Sequence, residues 1–409
     1  MIYTSKPIHN GSNNLFEREG TLEDVLLSLL LEAPHIGSLS NQEEHRKMRR
    51  RLQPGFTSNA LFEQEALLRM HVERLMLTFA RNPGVSNLTE AFAKFLWAFV
   101  SDLSFGEPLN PEKKDTLQSM VELYHSCFPL LEAINYVLPQ FQQVFRLIFH
   151  MIPSANLRAV LPSVTLRDCI NRQDGRSDLI THIMGHKCRN PTELELRHGE
   201  LHRDATFIML AAYNLTETTL SALFNRLLST PGVLRRLKSE LYRNFHTIDE
   251  ITGKKLLSLP YLDGCVYETL RLTPAVAGKV LSRRSPGVMM EGIYVPAGTE
   301  VYTDTYTMQR SPQYWHAPDE FRPERWFERS EGSPYARDVH EAFKPFSSGP
   351  RACLGKGLAL QILRLTAALI VYRFDLSMAD ADGFVWEEDI ESSISYSKYQ
   401  VKATVQERG

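Results

Sequence analysis

The stretch Phe346-Ser-Ser-Gly-Pro-Arg-Ala-Cys-Leu-Gly355 constrains this chain more than any other. Cys353 can serve as a thiolate metal ligand. Gly349 and Gly355 allow a backbone turn that brings the sulfur and nearby N–H groups close to a flat cofactor. Arg351, two residues before the thiol, can favour S⁻ or pair with a carboxylate on that cofactor. Phe346 can cover one side of the sulfur and keep water away. Directly afterwards, Leu358, Ile362, Leu365 and Leu369 recur at helical spacing and predict one apolar helix face. The sulfur therefore lies just before a helix N-terminus, where the helix dipole stabilises negative charge. A lone buried cysteine is ordinarily a small hydrophobe. Here Phe346, Gly349, Arg351, Cys353 and Gly355 fit one pattern together, and that reverses the ordinary reading.

Two further segments carry information. Tyr261-Leu-Asp-Gly-Cys-Val-Tyr-Glu-Thr-Leu-Arg-Leu272 predicts a helix that stops before Thr273-Pro274, because a residue before proline avoids the α region. Glu268 and Arg271, three apart, share a face of that helix and can pair. Taken alone, such a pair is an ordinary surface contact worth little. Further on stands Phe321-Arg-Pro-Glu-Arg-Trp326.

In their order and spacing these segments resemble the cytochrome P450 family. The decapeptide resembles its haem-binding loop, and Ala359 also matches. The resemblance is strongest from about Leu201 to Asp380 and looser before that. It implies a mainly α fold with small β-sheets, as a single P450 domain over residues 1–409. It implies haem, with Cys353 as axial iron ligand and Phe346, Gly349, Arg351 and Gly355 around it. It also implies a buried network of Glu268, Arg271 and Arg325 on the thiolate side of the haem. His45 and Arg49, four apart on one helix face, resemble the family's propionate-binding pair, with His in place of Trp. Arg283 or Arg284 stands where the family keeps another propionate-binding basic residue, and the loop length leaves both open. Lys47, Arg50 and Arg51 are either a solvated helix face or part of a positive patch for a reductase that passes on electrons from NADPH.

Composition fits this reading. The 409 residues carry a net charge of −2, which gives no overall pull toward nucleic acid. Five cysteines (Cys127, Cys169, Cys188, Cys265 and Cys353) are odd in number and lack zinc or CxxC spacing, which points to a reducing compartment. No run approaches the roughly 18 apolar residues of a membrane span, and residues 1–30 do not read as a signal peptide. Met1 resembles a point inside the family fold near its second helix, so the expectation is an N-terminally shortened member, natural or truncated. By resemblance the chain faces the cytosol and associates with the endoplasmic reticulum.

The remaining elements are mostly helical. Asn87–Val100 predicts a core helix, about 195–228 a long helix, and Thr230-Pro231 a capped helix start. Residues 106–176 correspond to the family's substrate-access region or to ordinary helical core. Val288–Val295, Glu300–Thr305 and Ser392–Ser397 predict short strands.

The long helix departs from the family. Oxygen-activating members carry two small residues, then an acid and an alcohol that relay protons. A gapless match places Ala211 and Ala212 on the small pair, Asn214 on the acid and Leu215 on the alcohol. Thr216 lies one residue on, about 100° around a regular helix. A π-bulge would bring it into place, whereas a bond back to a helix carbonyl would make it structural. Thr218 and Thr219 read as surface or back-bonding hydroxyls. The expectation is a monooxygenase of a small lipophilic metabolite in fungal-like secondary metabolism, with Thr216 and Asn214 as catalytic candidates and O₂ as co-substrate. The alternatives are a haem-thiolate isomerase or dehydratase without net oxygen insertion, or a truncated haem-binding protein without catalysis.

Overall fold

The computed structural model of the chain describes residues 17–18, 34–106, 108, 178–184, 191–277, 282–379, 386–392, 396–397 and 399–408. The access stretch and most of the chain's start lie outside these residues.

Local capping sets the helices that surround the site. Helix α1 (Gln42–Leu52) begins after Asn41, whose side chain accepts from the backbone N–H of Glu43 at 2.9 Å and of Glu44 at 3.1 Å. Glu43 and Glu44 in its first turn and Arg49, Arg50 and Arg51 in its last suit the helix dipole. Helix α2 (Ser58–Arg81) is capped by Thr57, and α3 (Leu88–Phe105) by Asn87. A short α4 (Leu179–Met184) precedes α5 (Pro191–Ser229), which begins four residues before the predicted start. Helix α6 (Pro231–Asn244) starts at the expected proline. Thr230 occupies the cap position, but its side chain makes no capping bond, so the fixed φ of Pro231 marks the start. Helix α7 (Pro260–Leu272) and α8 (Lys356–Arg373) complete the frame.

The core gathers around α8. Leu358, Leu360, Ile362, Leu363 and Leu365 are all buried, and burial continues unbroken to Val371. That corrects the single apolar face expected from the spacing: a helix apolar all round is a central one. Helices α2, α5, α6 and α7 pack against it, and α3 packs on α5, with Phe92 and Phe224 rings 4.9 Å apart. No helix among the described residues is long and apolar enough to cross a membrane.

The sheets are small and antiparallel. Strands β1 (Glu17–Arg18), β3 (Arg283–Met290) and β4 (Ile293–Val301) form one, in that order. Strands β2 (Gly84–Asn87), β8 (Lys402–Glu407) and β5 (Phe374–Met378) form a second, in the order β2-β8-β5. Strands β6 (Glu391–Ser392) and β7 (Tyr396–Ser397) pair as a third. The strand expected over Val288–Val295 is in fact a hairpin. Its turn falls at Glu291-Gly292, where Gly292 takes a φ of 82°, and Met289 faces Tyr294 across it. The expected strand through Thr305 ends at Val301, and a helical turn starts at Thr305.

A carboxylate locks α7 to the chain that follows it. Glu268, Arg271 and Arg325 are all 0 % exposed. Glu268 Oε1 accepts from Arg271 Nη2 at 2.8 Å, Arg325 Nε at 2.8 Å and the Arg322 backbone N–H at 3.0 Å. Its Oε2 accepts from Arg271 Nε at 2.9 Å and the Trp326 indole N–H at 3.0 Å. Arg325 Nη1 also donates to Asp338 at 2.5 Å, a partner the sequence did not indicate. Burial pulls the Arg271 guanidinium below its ordinary range despite Glu268. Burial weighs on Arg325 too, but Glu268 and Asp338 together raise it. Gly264 lets α7 approach this segment, since a Cβ there would meet the Pro323 carbonyl oxygen at 2.6 Å.

Removing the carboxylate strands two buried cations. Breaking a buried pair from one side costs about 3–5 kcal/mol, a large part of a domain's stability. Glu268→Ala should therefore abolish the yield of folded protein, read by soluble expression and by thermal melting. A variant that melts like the parent would contradict the network's role.

Candidate active site

The cysteine loop is shaped by its backbone. Ser347 has a φ of 57° and Gly349 a φ of 74°, so the chain turns through the left-handed region, where glycine is at ease. The Cys353 N–H donates to the Phe346 carbonyl at 2.9 Å and closes the loop. Gly355 is not left-handed: it is the N-cap of α8 with a φ of −82°. A Cβ added there would sit 3.9 Å from Cys353 Sγ, an ordinary contact, so neither a turn nor close packing requires glycine at this position.

The sulfur faces a cavity of about 590 Å³. By accessible area the thiol is exposed, yet it lies deep in the protein, because the surface it exposes belongs to that cavity. Burial pushes the thiol pKa up. Hydrogen bonds from the Gly355 and Lys356 N–H groups and the charges of Arg49 and Lys356 pull it the other way. Arg351 lines the cavity, but its guanidinium donates to the Leu39 carbonyl at 2.7 Å and the Ser40 carbonyl at 2.9 Å.

Helix α1 supplies the margin. His45, which is buried, and Arg49 both line the cavity, one turn apart as their spacing predicts. Arg49 Nη1 donates to the Ala352 carbonyl at 2.6 Å, which ties α1 to the cysteine loop. Arg51, expected on a free basic face, instead pairs with Asp204 of α5, while Arg46, Lys47 and Arg50 remain exposed. Arg283 is buried, donates to the Ser282 carbonyl at 2.8 Å and lies outside the cavity wall. Arg284 is exposed and donates to the Gly298 carbonyl at 3.0 Å.

Helix α5 forms another wall. Phe207, Ile208, Ala211, Ala212, Leu215 and Thr216 line the cavity, with Thr219 a turn further. This stripe repeats every three to four residues, as one helix face must. Thr216 reaches the wall without a π-bulge, since α5 stays regular through this point. Asn214 lies off the stripe and off the wall. The back-bonding hydroxyl is that of Thr219, which donates to the Leu215 carbonyl at 2.7 Å. Thr216 makes no hydrogen bond among the described residues and stays available to the cavity. Thr218 is not on the surface: it is 0 % exposed and 2.9 Å from the Tyr399 hydroxyl.

A thiol on one wall, arginines at the margin and an apolar stripe with a single available hydroxyl suit a flat, largely apolar cofactor with acidic edges. Haem has that character, and the residues present fit it. Sequence reasoning missed Gln309, which is fully buried. It bonds the Leu270 and Arg271 carbonyls at 3.0 Å and receives the Lys344 N–H at 3.0 Å. It thereby connects α7 to the start of the cysteine loop, and no local pattern marks it.

Comparison with known proteins agrees with the geometry. The cytochrome P450 family profile matches residues 21–402. Sesterfisheric acid synthase of Neosartorya fischeri is 66% identical over the whole chain, which covers 78% of that protein. Cytochrome P450 monooxygenases of Fusarium proliferatum (FUP2) and Colletotrichum orbiculare (btcB) are 37% and 36% identical. Each alignment includes 95% of this chain, and spans 78% and 73% of the respective relative. With this match over nearly all of its length, the chain belongs to the cytochrome P450 family and is one of its fungal secondary-metabolism monooxygenases.

Proposed function

We propose that the chain oxidises a small lipophilic metabolite, with Cys353 as the thiolate ligand of its haem, across one P450 domain. The observation that carries the reading is the sulfur itself, which opens onto the cavity beneath the N–H groups of Gly355 and Lys356. Thiolate-ligated haem supplies iron chemistry that favours O–O cleavage. The chain's residues do the rest. Arg49 and Arg351, with His45, hold the carboxylate edge. The apolar stripe on α5 seats substrate and excludes water. Thr216 holds the one proton-bearing group that α5 leaves available on that wall. Arg46, Lys47 and Arg50 offer an exposed basic face to a reductase that draws on NADPH. This reading places the chain at the cytosolic face of the endoplasmic reticulum, with the family's microsomal reductase.

The Neosartorya fischeri relative is named for an acid, and with 66% identity over the whole chain we infer an acid product here as well. Reaching a carboxyl from a methyl takes successive two-electron oxidations at one carbon, so the substrate must reseat, or stay, between turnovers. Deleting the gene should remove an acid from the metabolite profile and accumulate a less oxidised precursor of the same skeleton. An unchanged profile would contradict the reading.

Asn214 and Leu215 stand where the family has its acid and alcohol, so oxygen insertion here proceeds without that pair. Isotopically labelled O₂ tests this: label should enter the product, and its absence would overturn the reading.

Cys353→Ala should abolish the thiolate-type spectrum of the reduced protein with carbon monoxide, and Cys353→His should give an imidazole-type spectrum. A thiolate-type spectrum retained in Cys353→Ala would overturn the ligand assignment. Thr216→Val should retain haem and substrate binding but lower product formation by roughly 10²–10⁴-fold, the span for losing one placed proton donor. Hydrogen peroxide released per NADPH should rise. Unchanged coupling in Thr216→Val would remove Thr216 from proton delivery.

A further inference from the structure

Among the described residues, two buried acids stand on α5, and they are treated differently. Asp204 is paired with Arg51. Glu217, directly after Thr216, has no cationic partner among the described residues. It does not line the cavity. One oxygen accepts from the Ser221 hydroxyl at 2.8 Å, and the other accepts from the Tyr399 hydroxyl. The Tyr399 oxygen is in turn 2.9 Å from Thr218 Oγ1. A buried carboxyl outside the cavity and without a cation is not explained by the reaction derived so far.

The partner of Glu217 is well anchored. Tyr399 is buried, and its ring lies 5.2 Å from Trp386. Two residues later, the Val401 N–H donates to Thr89 Oγ1 at 3.0 Å, and the Val401 carbonyl accepts from the Leu88 N–H at 2.8 Å. The start of α3 therefore holds this terminal stretch, and Glu217 joins that stretch to α5 beside the cavity wall.

The hydroxyls around Glu217 can run in two directions. With the carboxylate ionised, Ser221 and Tyr399 both donate to it, and the Tyr399 oxygen accepts from Thr218. With the carboxyl protonated, its O–H donates to Tyr399, and Tyr399 donates to Thr218. The Thr218 proton then turns toward the carbonyl one helical turn back, at Asn214. Back-bonding of this kind perturbs a helix. The Leu215 carbonyl already receives Thr219, so the protonated arrangement engages the carbonyls of the two successive peptides that precede Thr216.

We propose that Glu217 is a positioning residue: the gain or loss of its proton reverses the hydroxyl run through Tyr399 and Thr218 and so resets how α5 presents Thr216 to the cavity. Its effect on the cavity rests on the haem reading above, whereas the reversal itself does not. Burial lifts the Glu217 pKa from an ordinary 4.5 to about 7, with the bonds from Tyr399 and Ser221 pulling it back. Those two groups are the ones that act on it. From its own helix Ser221 bonds it and Thr218 reaches its partner Tyr399, which comes from the terminal stretch; the Tyr213 phenol, one turn earlier on α5, also acts on Tyr399. On α3, packed alongside, Asp102 is held by His71, and Glu90 pairs with Lys94 at the surface. The proton is therefore held below neutrality and lost above it.

Infrared titration of the holoprotein tests this in wild type, Glu217→Gln and Tyr399→Phe. In wild type the carbonyl band of the protonated acid should fade as pH rises, with a midpoint near 7. The phenol C–O band of Tyr399, identified by its loss in Tyr399→Phe, should shift with the same midpoint. The stretch of carbon monoxide bound to the reduced protein should follow both. Glu217→Gln should lack the acid band and hold the phenol and carbon monoxide bands constant across the range. Tyr399→Phe should raise the midpoint of the acid band, because it removes a bond that favours the ionised form. A phenol band indifferent to pH in wild type overturns the reversal. A carbon monoxide stretch that moves equally in wild type and Glu217→Gln overturns the effect on Thr216. Absence of any bound carbon monoxide contradicts the haem reading instead, and the acid and phenol bands still decide the reversal.

Discussion

The Glu268 carboxylate anchors the irregular chain that follows α7. Its two oxygens receive five donors, from Arg271, Arg325, Trp326 and the Arg322 backbone. The two guanidiniums then reach outward with their remaining N–H groups. Arg271 takes the carbonyls of Gln309, Pro318 and Glu320, and Arg325 takes those of His316 and Ala317. An irregular stretch between Gln309 and Trp326 is thus wound around one buried charge. Buried polar backbone must find partners, and here arginine forks supply them where no sheet or helix does. Gln309 carries the constraint onward to Lys344, nine residues before Cys353. The position of the sulfur is set partly from α7, through this chain of hydrogen bonds and through the Tyr267 ring packed on Phe343.

What could be read from the sequence divides along physical lines. The cysteine loop and the pair Glu268–Arg271 were legible because each depends on residues close in the chain. Arg325 was legible only through resemblance, since nothing local ties it to a residue 57 positions earlier. Asp338 and Gln309 were illegible for the same reason, and no family motif points to them. The hairpin at Glu291-Gly292 was missed because Val288, Met289 and Met290 on one side and Ile293 to Val295 on the other form an almost continuous β-like run. A single glycine inside such a run is easily taken for a weak strand position. The apolar spacing of α8 was detected, but the spacing shows one face of a helix that is in fact buried on every side.

Helix α5 shows how a regular helix can absorb a motif change. The gapless match sets Asn214 and Leu215 where the family has its acid and alcohol, and it leaves Thr216 to reach the cavity through a bulge or to bond back to a helix carbonyl. The stripe that faces the cavity is two residues wide in each turn, so Leu215 and Thr216 share it without distortion. An angle of about 100° between neighbours separates them on a helical wheel, but a cavity that spans such an arc sees both. Leu215 makes this part of the wall apolar, and Thr216 keeps one hydroxyl there.

The β3–β4 hairpin has consequences beyond the cavity. Its tip carries Met289, Ile293 and Tyr294 at 57 %, 70 % and 61 % exposure, an apolar knob of the kind that invites contact. Strand β4 behind it is the outer strand of its sheet and contains Pro296 and Gly298. Proline removes a donor from the edge, and glycine weakens it. The same element therefore offers adhesive side chains on a backbone ill suited to template another strand. Self-association through this hairpin would be a matter of greasy surfaces meeting and parting, dispersed by mild detergent, and not of sheets growing edge to edge.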